Sequence, residues 1–141
     1  MILVDTNVIS EPLQQAPNAR VVAWIDAQVI ETLYLSAITV AELRFGAAVL
    51  PVGRRRDLLL NRLEKDVLPV FSGRILPFDL DASAAFASLM ANARARGKAI
   101  GKADGFIAAI AACHGFSIAT RDTEPFEAAG LATLNPWDLN P

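Results

Sequence analysis

The sequence predicts an α/β fold, a central and mostly parallel sheet of about five strands flanked by helices in three layers. Five short runs rich in β-branched or large aliphatic residues occur at Ile2–Val4, Leu33–Leu35, Ile75–Leu76, Ser117–Thr120 and Ala132–Leu134, and longer stretches that read as helices separate them. Regular alternation of strand and helix is the pattern of a parallel sheet with crossover helices. The first run, Met1 to Val4, is apolar throughout, as a strand covered on both faces is. The chain has 141 residues, 53% of them hydrophobic, enough for the core of one domain over residues 1–141. It shows no repeat, low-complexity tract or long linker that would divide it.

Taken in order, the first strand stops on Asp5-Thr6-Asn7, where Asp5 is placed to cap a short helix from Thr6. After the second strand, Ser36 caps a helix over 37–49 that Pro51 ends. A further helix over 53–67 is stopped by Pro69. Asp79 or Asp81 begins a third long helix that runs to Arg96, with Gly97 just past its end. A fourth spans 103–113 and closes on Gly115. The fourth strand ends SIAT before Arg121 and Asp122, and the segment TRDTEP reads as a turn.

Composition excludes several chemistries. One cysteine, Cys113, allows no internal disulfide, and with one histidine, His114, the chain cannot assemble a Cys/His zinc cage. No apolar stretch approaches the ~20 residues of a membrane span, and MILVD lacks the basic start of a signal peptide; the expected location is the cytoplasm. The net charge is −2, from 13 basic and 15 acidic residues. If four carboxylates belong to a metal site, the remaining eleven acids against thirteen bases leave a slightly basic surface. That excess clusters at Arg54-Arg55-Arg56 and between Arg94 and Lys102, a distribution compatible with a polyanionic partner.

Four carboxylates stand out. In an open parallel sheet, ligands sit beyond the carboxyl ends of the strands, and Asp5 follows the first strand while Asp122 follows the fourth. In SAITVAELRFGAAVL, a period of 3.6 puts Ile38, Ala41, Phe45 and Val49 on one face with Glu42 inside the stripe. A Glu aimed at a core must be paired, protonated or bound to a cation. Asp104 lies near the start of a helix that is apolar on almost every side. Each has a purely structural alternative: a cap for Asp5, an ion pair with Arg44 or another Arg for Glu42, a helix-dipole contact for Asp104, a turn for Asp122. Three such coincidences at strand and helix ends and one on an apolar stripe point to one shared cause. Oxygen-only donors without histidine or thiolate suit Mg²⁺ or Mn²⁺, and such clusters serve phosphodiester hydrolysis.

With these residues in view, the chain resembles the PIN-domain ribonucleases, and within them the VapC toxins of type II toxin–antitoxin pairs, closest to the FitB-like branch. The resemblance runs through ILVDTNVIS, LYLSAITVAELRFG, PVGRRR, RILPFD, ADGFIAAIAA, SIATRDTEPFEAAGL and the closing LNPW. It implies a PIN-like fold, Mg²⁺- or Mn²⁺-dependent endonuclease action on RNA leaving a 5′-phosphate and a 3′-hydroxyl, homodimers, and inhibition by a cognate antitoxin that also carries the complex to DNA. Carried over by residue, the catalytic and metal-holding set is Asp5, Glu42, Asp104 and Asp122, with Thr6 beside the first aspartate. Many relatives read T-R-N-x-x-D-F where this chain reads T-R-D-T-E-P-F. Pro125 thus stands in place of an acid, and Asp122, or Glu124 as its substitute, must supply the fourth.

On this reading Asp5, Glu42 and Asp104 hold the metal directly or through waters, Asp122 completes a second position or orients a ligand, and Thr6 and Asn7 fix Asp5 or a water. Arg121 is placed to neutralise a substrate phosphate, its alternative being a solvated arginine after a strand. Arg54, Arg55 and Arg56 either track an RNA backbone or form a solvated helix start; three cations there oppose the helix dipole, which favours a partner. Two other classes compete. A receiver-like phosphate switch carries a pair of acids after its first strand, where this chain has Asp5-Thr6, and a non-catalytic PIN-like interaction module gains room from Pro125.

Overall fold

The computed structural model describes residues 1–139. All strand pairs in it are parallel, and the five strands lie in the order β3-β2-β1-β4-β5. β1 (Ile2–Val4) is therefore central. It leads through α1 (Thr6–Ser10) and α2 (Ala19–Ala27) to β2 (Leu33–Ser36), then through α3 (Ala37–Ala48) and α4 (Arg54–Arg62) to β3 (Ile75–Leu76). The chain then recrosses by α5 (Leu80–Ala95) and α6 (Lys102–His114) to β4 (Ser117–Ala119) on the other side of β1, and ends with α7 (Glu124–Ala128) and β5 (Thr133–Leu134).

The alternation of side chains along the strands builds two cores. Val4, Leu33 and Leu35 join Val8, Val21, Val40, Leu43 and Phe71 on one face. Leu3 and Ile118 join Leu89, Phe126 and the α6 residues Ile107 to Ala111 on the other. The expected two-sided parallel sheet is the observed one, and the reversal of strand order between β1 and β4 opens the crevice that such topologies reserve for ligands.

Helix boundaries follow local chemistry. The Ser36 hydroxyl accepts from the Thr39 amide at the head of α3, and Asp79, the nearer of the two candidate starts, accepts from the Ala82 amide at the head of α5. α4 runs on through a π-helical turn, Leu63–Val67, before the 3-10 turn that holds Pro69. α6 is buried from Ile107 to Ala111, as its apolar sequence requires, and Gly115 closes it in the left-handed conformation at φ 67°. A Cβ on Gly105 would meet Met90 Sδ at 2.9 Å and the Phe86 ring at 3.0 Å, so these α5 side chains pack directly on the α6 backbone beside Asp104.

Two expectations change. The apolar stripe Ile38, Ala41, Phe45, Val49 of α3 is not the core face, for Phe45 and Val49 are 69% and 61% exposed while Thr39, Val40, Leu43 and Ala47 are buried. Glu42 is thus an exposed residue at the edge of the crevice, not a charge inside a core. The segment TRDTEP also does more than turn, since α7 begins at Glu124 with Pro125 in its first turn, where a missing N–H costs nothing.

Candidate functional site

Asp5 sits at the bottom of the crevice between the ends of β1 and β4, only 5% exposed. Its amide donates to Ala119 O at 2.9 Å. One carboxylate oxygen, Oδ1, accepts from the Thr6 amide at 2.8 Å, so the residue does cap α1. The other, Oδ2, accepts from the Thr120 hydroxyl at 2.8 Å and from the Asn7 side-chain amide at 3.4 Å. Cap and crevice residue are therefore one, which resolves the choice posed by the first strand's abrupt polar end. Burial pushes the Asp5 carboxyl up to about 6, against the hydrogen bonds from Thr120 and Thr6, and the nearby charges of Asp104 and Glu42 push the same way. The Asp104 carboxyl, half-buried in the first turn of α6, is raised by its own burial and by the charges of Asp122 and Glu42.

The crevice thus brings Asp104 and Glu42 into the field of Asp5, and Asp122 and Glu42 into that of Asp104. Among the described residues, the only ion pair joins Arg44 to Glu64, at 2.8 Å on the surface, so the arginine that was the structural alternative for Glu42 is engaged elsewhere. Glu42 Oε1 accepts instead from the Thr6 hydroxyl at 2.8 Å. Asp122 is exposed above β4, its amide donating to Thr120 Oγ1 at 3.1 Å. Glu124, exposed in the first turn of α7, is not among the charges that raise either aspartate.

A cluster of oxygen donors with unbalanced charge fits a hard divalent cation. Among the described residues no three acidic, histidine or cysteine side chains converge closely enough to ligate one ion directly, an arrangement compatible with an ion that keeps part of its own water shell. Mg²⁺, which sheds its waters reluctantly, is commonly held so.

Other expected site residues separate. Asn7 bridges Asp5 to the loop after β4, accepting from the Arg121 amide at 3.1 Å. The Arg121 guanidinium lies over the Trp137 ring, 5.1 Å from its centroid. Of the arginine run, Arg54 and Arg55 line a groove of about 720 Å³ that starts at Thr6 and Glu42 and passes between α3 and α4 over Leu43, Ala47 and Leu59. Arg56 does not line it; its Nε is buried without a partner.

Two side chains that the sequence did not flag are central here. Thr120 is fully buried and links Asp5 to Asp122, and Thr39, equally buried, has its Oγ1 3.1 Å from that of Thr6. Their signal lay within A-T-R and S-A-I-T, where a hydroxyl falls at a strand end or three residues after a helix cap.

The family model for the PIN domain matches residues 2–131, and the chain belongs to that family. It is 66% identical over 138 residues to the VapC ribonuclease Y4jK of Sinorhizobium fredii, covering 98% of this chain and 99% of that one. With the toxin FitB of Neisseria gonorrhoeae it shares 56% identity over 137 residues, covering 97% and 99%. A solved structure of FitAB bound to an IR36 DNA fragment contains a chain that superposes with a TM-score of 0.96 at 53% identity, covering 100% of this chain and 99% of that one. Among the described residues no helix is long and apolar enough to cross a membrane.

Proposed function

We propose that the protein is a Mg²⁺- or Mn²⁺-dependent endoribonuclease, the toxin of a toxin–antitoxin pair acting in the cytoplasm. The observation that carries the reading is the set of four carboxylates at the switch point, where Asp104 and Glu42 bear on Asp5, and Asp122 and Glu42 on Asp104, without a basic side chain paired to any of them among the described residues. Asp5, Glu42 and Asp104 hold the ion directly or through waters, and Asp122 orients a ligand on the β4 side. The ion supplies charge neutralisation at the phosphodiester and activation of a water nucleophile. Thr120 and the Thr6 amide hold Asp5 at fixed position, and Thr6 holds Glu42.

The groove beside this cluster supports a protein inhibitor. Its floor is aliphatic, it opens onto an acidic mouth, and it suits a short antitoxin segment that is disordered alone and folds on binding, with an Arg or Lys directed at Asp5, Glu42 and Asp104. The FitAB structure bound to DNA supports an assembly that reaches DNA through the antitoxin. A homodimer of the toxin belongs to the same reading.

Purified protein is expected to cleave RNA with Mg²⁺ or Mn²⁺ and to stop in excess chelator. Cleavage that persists in chelator would refute the metal-dependent reading, and absence of cleavage and of toxicity with all four carboxylates intact would leave the non-catalytic module. Co-expression with a neighbouring small gene is expected to give a stable complex and relieve toxicity.

A further inference from the structure

Glu42 is the one member of the acidic set on an exposed helix face, where a side chain with three rotatable bonds is ordinarily mobile. What holds it is a run of hydroxyls that starts in the buried core. Ser36, at the end of β2, accepts from the Thr39 amide at 3.0 Å and so caps α3; its own hydroxyl lies 3.2 Å from Thr39 Oγ1. Thr39 Oγ1 is 3.1 Å from Thr6 Oγ1, and Thr6 Oγ1 is 2.8 Å from Glu42 Oε1. Ser36 and Thr39 have no exposed surface.

Each hydroxyl has one proton to give. An ionised Glu42 accepts only, so the Thr6 proton points to Glu42. Thr39 must then donate to Thr6, and Ser36 to Thr39. With the carboxylate charged, every hydroxyl donates once in the same direction and the series is polarised toward Glu42, which strengthens each bond in it. The reverse direction would need a protonated Glu42. Thr39 therefore does not turn its hydroxyl back to its own helix, the usual habit of a threonine within a helix; it spends it across the α3–α1 contact.

Resting on the proposed metal-dependent reading, we infer that Thr39 is a positioning residue that acts on Glu42 through Thr6, with Ser36 setting the direction of its hydroxyl. The N-terminal cap of α3 and the orientation of a metal-site carboxylate are then one hydrogen-bonded unit, linking β2, α3 and α1.

The test uses Thr39→Val, which keeps the volume and leaves the Ser36 cap, together with Thr39→Ser, Thr6→Val and the Thr39→Val/Thr6→Val pair in the full chain. Mn²⁺ binding is read by the loss of the free-ion electron paramagnetic resonance signal, and RNA cleavage is read alongside it. Removing a group that orients a metal ligand typically weakens affinity or activity by about 10- to 100-fold. Thr39→Val is expected to weaken Mn²⁺ binding about tenfold with an unchanged circular-dichroism spectrum. Thr39→Ser should restore binding, and the pair should lose no more than Thr6→Val alone. If Thr39→Val does not fold, Thr39→Ala takes its place. Unchanged Mn²⁺ affinity in the folded variant, no rescue by serine, or additive losses in the pair would each overturn the inference. Wild-type protein that binds no Mn²⁺ would instead overturn the functional reading on which it rests.

Discussion

Replacing Asp5 by Asn tests whether the crevice forces an unpaired charge on the metal-free protein. The folded carboxyl keeps its proton up to about pH 6, against 3.8 for its ordinary value. Between those two pH values the folded state binds a proton that the unfolded state does not. The stability this group contributes is thus full below the ordinary value and is lost as pH rises through the 3.8-to-6 window. Roughly two pKa units at about 1.4 kcal/mol each make the charged Asp5 cost about 3 kcal/mol at neutral pH. Asn removes that cost, yet its amide meets the Thr120 hydroxyl and the Asn7 amide at the Oδ2 position, a loss of about 1–2 kcal/mol that does not depend on pH. Asp5→Asn in chelator should therefore be less stable than wild type at about pH 4, where both side chains are neutral, and equal to or more stable than wild type at about pH 7.5. Urea unfolding at both pH values measures the difference, which should move by about 2.5 kcal/mol in the variant's favour, since at about pH 4 the unfolded carboxyl is already partly ionised. A variant that loses the same amount at both pH values, or more at the higher one, would refute a desolvated and crowded Asp5.

Glu42→Gln and Asp104→Asn should abolish cleavage while keeping the fold, since each removes one of the charges that raise Asp5; unfolding would make these carboxylates structural. Asp122→Asn should reduce cleavage more than Glu124→Gln, because Asp122 and not Glu124 is among the charges that raise Asp104; the reverse order in a cleavage assay would move the fourth acid to α7. Phe126→Ala removes the largest of the fully buried side chains and should cost about 3–5 kcal/mol in urea unfolding. A dimer mass by light scattering at micromolar concentration is expected, since Leu58 and Leu80 on α4 and α5 stay 52% and 86% exposed; a monomer mass would contradict it.

The strands were legible because each is a short, largely apolar run closed by a polar residue or a proline, and the central place of α6 because it is apolar on almost every side. The face of α3 was not. That helix carries apolar residues on two faces, Thr39, Val40, Leu43 and Ala47 on one and Ile38, Ala41, Phe45 and Val49 on the other, and periodicity alone does not say which meets the core. Glu42 is therefore exposed and outside any buried stripe, yet it stands beside Asp5 through its bond to Thr6. Thr120 and Thr39 escaped notice for a related reason. A threonine at a strand end or in a helix reads as ordinary local preference, and its hydroxyl acquires meaning only from a partner 115 or 33 residues away.

That distance has a consequence for synthesis. Asp5 precedes by 115 residues the Thr120 hydroxyl that completes its surroundings, and β4 pairs with β1 across a similar separation. Loop closure over so long a separation comes late in folding, and a nascent chain emerges from its N-terminus first. Until β4 has emerged and paired with β1 the polypeptide carries Asp5 without the crevice around it, so whatever chemistry the carboxylates perform waits for that pairing.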